Sequence, residues 1–166
     1  MAHRIPVYAI IRIKGRVNCP YDVEYTLKLL RLHKKYHCVL YPKTLPGLDG
    51  MLLKAKDWIT WGEIDRETLI ELLYKRGKIA GNKPLTDEYV DTHLAKLGIN
   101  GGIPALADAI LEGRVMLHKL NNLIKPVFRL HPPRKGFKGS TKRPYDQGGE
   151  LGYRGSAINE LIKRML

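Results

Sequence analysis

Along residues 7–14 the apolar positions alternate. Val7, Ala9, Ile11 and Ile13 fall on one face, and Tyr8, Ile10, Arg12 and Lys14 on the other. A period of two predicts a strand, and the apolar first half can be buried on both sides. Its basic end, Arg12, Lys14 and Arg16, projects from the sheet into a turn around Gly15. The period then becomes helical, from an expected N-cap at Asp22 to about His33. Val23, Leu27 and Leu30 form an apolar stripe that Tyr25, Leu29 and Leu32 widen, with Glu24 and Lys28 as an i,i+4 pair outside. Lys34 and Lys35 suit the helix C-terminus. Residues 38–41 predict a second strand, stopped by Pro42. A Pro/Gly-constrained loop over 42–50, a short helix over about 50–56 and a strand over 58–64 follow. Trp58 and Trp61 read as packing residues rather than stacking platforms.

Past residue 64 the pattern is helical. Asp65 is the expected cap of a helix carrying Leu69, Ile70, Leu72 and Leu73, which ends near Gly77. Thr86 caps the next, with Asp87 and Glu88 in its first turn, Val90, Leu94 and Leu97 as its stripe, and Gly98 after its end. Pro104 opens a third, with Leu106, Ile110 and Leu111 inward and Gly113 as terminator. Residues 127–130 predict a short strand. Residues 131–149 are rich in Gly, Pro, Lys and Arg and are expected to bury too little apolar surface to fold alone. A final amphipathic helix over 156–166 presents Ile158, Leu161, Ile162 and Met165 on one side. The fold class expected is α+β. A core over 1–64 precedes a helical lobe over 65–122, and a short strand, basic loop and helix fill 123–166. No internal repeat is visible.

Charge sharpens this division. The chain of 166 residues has a net charge of +13 and is long enough to bury a core of its own. Residues 1–56 hold eleven Lys/Arg and three acids; residues 57–112 hold six and ten; residues 113–145 hold nine Lys/Arg and no acid. A chain basic at both ends with an acidic middle suits a molecule that lays one face on a polyanion and turns another away. Cys19 and Cys38 lack zinc-ligand spacing and read as small core or near-core residues. No run of eighteen apolar residues predicts a membrane span, residues 1–6 lack a signal-peptide pattern, and a cytosolic location is expected.

Catalytic patterns are sparse. There is no P-loop, no dinucleotide fingerprint, no HExxH and no GxSxG. Asn100-Gly101-Gly102 before a helix is a weak phosphate-cradle candidate against the commoner reading of an ordinary loop. The six histidines are scattered. The chain is therefore expected to be no enzyme and to need no cofactor, metal or small-molecule substrate. The basic segment is more informative. Arg134, Lys135, Lys138, Lys142 and Arg143 alternate with Phe137, Tyr145 and several glycines. Cations neutralise phosphates, aromatic rings stack on unpaired bases, and glycine lets backbone approach RNA closely. A free-standing DNA- or chromatin-binding protein would share these features, and an RNA-modifying enzyme would need a cofactor pocket or paired catalytic groups besides.

Between those classes a family resemblance speaks. IIRIKGRVNCP, TLKLLRLHKKYHCVLYP and LDGMLLKAKDWITWGEI resemble the archaeal form of large-subunit ribosomal protein thirty, whose eukaryotic counterpart is large-subunit protein seven. LIELLYKRGKIAGNKPLTDEYV, FRLHPPRKGFKGSTKRPYDQGGELGYR and INELIKRML resemble the extension of the archaeal and eukaryotic members. The resemblance implies a small three-stranded sheet with two helices on one face, somewhat like a ferredoxin fold. It implies a structural constituent of the large ribosomal subunit that binds and stabilises folded large-subunit ribosomal RNA, near the smaller 5S RNA and other large-subunit proteins. By position it implies RNA contacts at Arg12, Lys14 and Arg16, at Lys43, Lys54 and Lys56, and at Arg134, Lys135, Phe137, Lys138, Lys142 and Arg143. Arg154 completes the set, beside Glu150 in a GGELGYRG run that departs from the GGDxGNRE-like run of eukaryotic members. The long basic N-terminal arm of the eukaryotic proteins is missing, so its contacts are not expected.

Overall fold

The alternating segment becomes strand β1 (Val7–Arg12), and all six of its side chains are buried. The computed structural model describes residues 4–166; the first three residues of the stretch read above as lacking a signal-peptide pattern lie outside the described residues. Helix α1 (Tyr21–Leu29), strand β2 (His37–Pro42), helix α2 (Leu48–Ala55) and strand β3 (Ile59–Glu63) follow. Strand β1 lies between β2 and β3 and runs antiparallel to both, with Ile10 opposite Val39 on one side and Trp61 on the other. Helices α1 and α2 cover one face. Val23, Leu27, Leu30, Leu48 and Leu52 meet Tyr8, Ile10, Val39, Tyr41, Ile59 and Trp61 there. Both tryptophans pack, Trp61 buried and Trp58 half-buried.

The opposite face is covered by the rest of the chain. Helix α3 (Arg66–Arg76) is followed by a two-stranded ribbon of β4 (Lys78–Ile79) and β5 (Lys83–Pro84), then by α4 (Asp87–His93) and α5 (Gly102–Leu111). Strands β6 (Val127–Arg129), β7 (Ser140–Pro144) and β8 (Gly149–Tyr153) precede the last helix, α6 (Ile158–Met165). The expected caps form: the Asp65 carboxylate accepts from the Thr68 amide at 2.8 Å, and the Thr86 hydroxyl from the Tyr89 amide at 3.1 Å. One buried cluster runs from Val7 and Ile11 through Leu72, Leu106 and Phe128 to Ile162 and Met165. The core, the lobe and the C-terminal segment therefore share it.

Several expectations need correction. The sheet has six strands, in the order β6-β2-β1-β3-β8-β7, and the three-stranded unit is only its centre. The C-terminal segment supplies the additional strands: β6 pairs antiparallel with β2, and β8 pairs parallel with β3. Open edges on β2 and β3 would leave backbone donors and acceptors unpaired, and Phe128 and Leu151 bury their side chains as they close those edges. Helix α1 starts two residues earlier than expected, after Pro20, so Asp22 stands in its first turn rather than at the cap. It also stops at Leu29, where Arg31 turns the backbone into the left-handed region at φ 66°. Its apolar stripe is narrower than read: Leu32 is buried, but Tyr25 and Leu29 are exposed. Glu24 pairs with Arg12 rather than Lys28.

Gly62 shows how closely the C-terminal part seats on the sheet. A Cβ at that position would lie 1.9 Å from the Gly155 carbonyl oxygen, so only glycine fits where β3 passes the turn into α6. On the other face, Leu27 is fully buried. Leu27→Ala is expected to lower stability by roughly 2–5 kcal/mol through lost burial and a residual cavity, read as a shift of the denaturant midpoint. A thermally and chemically silent substitution would contradict the packing of α1 described here.

Candidate nucleic-acid interface

The strand register decides which cations are neighbours. The C-terminal end of β1, the starts of β2, β3 and β8, and the C-terminal end of β6 all lie at one end of the sheet. At that end the Ile13 and Lys14 amides donate to the Trp58 carbonyl, at 2.8 and 3.3 Å, and the Tyr36 amide donates to the Arg12 carbonyl at 2.7 Å. These bonds bring Lys14, the Lys34-Lys35 turn and Lys56 together. The Leu130 amide donates to the Tyr36 carbonyl at 3.2 Å, which starts the basic segment 131–149 from the same place. The Lys14 ammonium lies 5.5 Å from the centre of the Trp58 ring and that of Lys35 5.2 Å from the Tyr36 ring. Lys34, Lys35 and Arg129 join this end although no motif singled them out; only the pairing of β2 with β1 and β6 reveals them.

Arg16 and Lys54 sit beside this group, each loosely paired across 3.7 Å, with Glu24 and Asp22 respectively. Both stay substantially exposed. Arg12 does not belong with them. Its side chain is fully buried. Its guanidinium donates to Glu24 at 2.9 Å, to the Leu32 carbonyl at 2.8 Å and to the Lys14 carbonyl at 2.8 Å. Burial favours the neutral acid at Glu24, but the hydrogen bonds and charge of Arg12 outweigh it and hold the carboxyl below its ordinary range. Arg12 thus ties the end of β1 to α1 and to the returning chain, and an RNA contact by it is corrected to a structural clamp.

Arg154 needs the same correction. It is buried, donating to Glu150 Oε2 at 2.7 Å, to the Glu150 carbonyl at 2.6 Å and to the Thr60 hydroxyl at 2.8 Å. The second oxygen of Glu150 accepts from the Gly139 amide at 2.8 Å, and the Tyr145 ring covers the guanidinium at 4.9 Å. Arg154 and Glu150 thereby anchor the basic segment to β3. Lys43 is half exposed but stands apart from the other cations. The Lys43 amide donates to the Pro6 carbonyl, and Pro42 pairs with Val7, so Lys43 lies at the opposite end of the sheet. Its ammonium sits 3.7 Å from Glu63 and 5.7 Å from the centre of the Tyr8 ring.

The basic segment is more ordered than its composition predicts. The His131 amide donates to the Met165 carbonyl and the Arg134 amide to the Arg164 carbonyl, each at 2.9 Å. The last carbonyls of a helix have no partner within it, so residues 131–134 act as the cap of α6. The Arg134 guanidinium donates to the Lys163 carbonyl at 3.0 Å, and the Arg164 guanidinium reaches the Arg134 and Gly136 carbonyls. These cations favour the negative end of the helix dipole. Phe137 is half-buried against Tyr36, with ring centres 6.3 Å apart, and so is a packing residue rather than an open stacking platform. Lys138 forms an exposed pair with Glu160 at 2.7 Å. Lys135, Lys142 and Arg143 are exposed and form no ion pair among the described residues.

Elsewhere the chemistry is internal. The Gly101 and Gly102 amides donate to Asp91 at 3.1 and 2.9 Å, and the Ile103 amide to Asp87 at 2.7 Å. Carboxylates of the chain itself fill the start of α5, which supports the reading of 100–102 as an ordinary loop. Cys38 is a buried free thiol, pushed up to about 12 by burial, and Cys19 is free and half-buried. No three His, Cys, Asp or Glu side chains converge as metal ligands among the described residues. No single helix among them is long and apolar enough to cross a membrane.

The chain is similar over nearly its whole length to known proteins. Residues 8–59 match the family described as ribosomal protein L30p/L7e. Large ribosomal subunit protein uL30 of Staphylothermus marinus is 72% identical over 160 residues, spanning 96% of this chain and 98% of that protein. The uL30 protein of Hyperthermus butylicus is 67% identical, over 98% and 92% of the two chains. That of Nanoarchaeum equitans is 50% identical over 96% and 99%.

The buried pair of Glu150 and Arg154 offers a direct test of how the basic segment is held. Glu150→Ala leaves the Arg154 guanidinium buried without its counter-charge, and is expected to cost about 3–5 kcal/mol. Amide exchange should quicken first at Gly139 and along β7. Unaltered exchange there would mean that the segment is held by α6 alone.

Proposed function

The chain belongs to the ribosomal protein L30p/L7e family, a structural and non-enzymatic family, and on that basis we propose that it binds and stabilises folded large-subunit ribosomal RNA through the basic end of its sheet. The observation that carries this reading is the shared end at which Lys14, Lys34, Lys35, Lys56 and Arg129 meet the segment bearing Lys135, Lys142 and Arg143. Arg16 and Lys54 flank it. Exposed cations gathered on one side neutralise phosphates and release counterions, which makes binding strong and salt-dependent. The Ile/Leu/Val core holds them on a rigid platform, so little ordering has to accompany binding. Selection rests on RNA shape, because the major groove of an A-form helix is too deep and narrow for side chains to read.

The acidic lobe fits the same reading. Glu67, Asp87, Glu88 and Asp91 are exposed on α3 and α4, and such a surface is repelled by phosphate and suits solvent or a protein neighbour. Residues 65–112 are thus the part turned from RNA, and 131–149 the part turned toward it. The same proposal sets the chain in the cytoplasmic ribosome beside other large-subunit proteins and near the 5S RNA, as the family resemblance implies.

A salt series on a large-subunit RNA fragment tests the reading. Replacing Lys135, Lys142 and Arg143 together by Gln should leave the melting transition intact, since none of the three side chains holds the fold. The log–log slope of affinity against salt should fall by roughly 2–3, at about 0.7–0.9 per lost phosphate contact. Reversing Glu67 and Glu71 to Lys should change affinity by no more than about 0.5 kcal/mol, as for surface changes away from special features. An unchanged slope in the first variant, or a tenfold change in affinity in the second, would contradict the proposed orientation.

A further inference from the structure

Beside the basic end, on the outer side of β2, the chain forms a cavity of about 340 Å³ that no motif foretold. Arg31, His33, His37, Asn121, Lys125 and Arg129 line it, with Pro126 and Val127 as its apolar part. Its volume falls within the range of about 300–1,000 Å³ typical of small-ligand sites. The lining carries three permanent cations, two imidazoles and no carboxylate. Among the described residues, Arg31, Lys125 and Arg129 form no ion pair. Like charges collected in a half-enclosed cleft repel one another, and an anion relieves that repulsion.

The cleft is built by the fold rather than by chance neighbours on a loop. His37 and Arg129 are direct cross-strand partners of β2 and β6, which places their side chains on one face with Cβ atoms about 4.5–5.5 Å apart. The Arg31 guanidinium donates to the His118 carbonyl at 2.9 Å, which fixes its stem from a residue in the left-handed region. The Lys125 amide donates to the Lys78 carbonyl at 2.9 Å, so the third cation is also held by backbone. His37 Nδ1 is buried and has no hydrogen-bond partner, a polar atom the fold leaves unsatisfied.

We propose that this cleft is a phosphate site, and that it seats a backbone phosphodiester of the RNA gripped by the basic end. The second half of the proposal rests on the ribosomal-RNA reading above; the first half does not. Two guanidinium groups and an ammonium supply donors matched to phosphate oxygens, as recognition of that group requires. His37 reports on occupancy. Burial holds its imidazole below the ordinary range, and the charges of Arg129, His33, Lys34 and Arg12 push the same way. A phosphate in the cleft opposes those charges and raises it.

The test uses the full chain and two probes, inorganic phosphate and a large-subunit RNA fragment, with the His37 imidazole followed by NMR across pH. Both probes should shift the His37 resonances and raise its titration midpoint. In the double variant Lys125→Gln/Arg129→Gln, phosphate affinity should fall at least tenfold with the melting transition unchanged. Its salt slope for RNA should fall by about 1–2, and Arg129→Lys should retain most of the phosphate binding. Phosphate that leaves His37 unmoved would overturn the site. A response to phosphate but not to bound RNA, with an unchanged RNA salt slope, would overturn its use by RNA and leave an adventitious anion cleft. Failure of the wild-type chain to bind the RNA at all would instead sink the ribosomal-RNA reading, and the phosphate arm would decide the cleft by itself.

Discussion

Strand β1 has no polar face. Six consecutive buried side chains oblige the chain to cover both sides of the sheet, and no single pair of helices can do that. Helices α1 and α2 take the side of Tyr8 and Ile10, and α3, α5 and α6 take the side of Val7, Ala9 and Ile11. The acidic middle of the chain is therefore drawn in as a covering layer. With β1 central, β2 and β3 would be the edges, and the C-terminal segment closes both. That closure brings the second basic region to the sheet end where the first one turns. The proposed interface is thus a consequence of burying β1.

Net charge alone does not reveal which cations face outward. Arg12 and Arg154 are the two arginines that the strand ends draw inside, and each is met by a carboxylate and by oxygen acceptors from other segments. Buried pairs of this kind are weak evidence of net stability, since desolvation offsets their attraction. What they do here is fix position: Arg12 sets the turn that carries Lys14 and Arg16, and Arg154 sets the path of residues 139–149. The cations left outside, among them Lys35, Lys135 and Arg143, are free to meet phosphate because the fold does not use them.

Local pattern carried much of this information. The alternation over 7–14 specified both faces of β1, and Asp65 and Thr86 marked the starts of α3 and α4 by the hydrogen bonds that they go on to make. Long-range contacts carried the rest. The strand at Gly149–Tyr153 has two glycines and little apolar content, so only its pairing with Thr60 and Trp61 makes it a strand. Segment 131–149 looked unable to order itself because its order comes from the carbonyls of α6, some thirty residues away. A strand end reads as exposed when it is basic, which misled the reading of Arg12. The cleft joins residues 31–37 to 121–129 through the β2–β6 pairing, and no spacing in the chain announces that.

The central claim is that two basic regions distant in sequence form one RNA face because the sheet register unites them. Mapping backbone amide shifts of the labelled chain on addition of a large-subunit RNA fragment tests it most directly. The account predicts perturbation together at Lys14, the Lys34-Lys35 turn, Lys56, Arg129 and residues 135–143, with Lys43 and the α3–α5 lobe unmoved. Perturbation confined to one of the two basic regions, or centred on Lys43 or the acidic lobe, would contradict it.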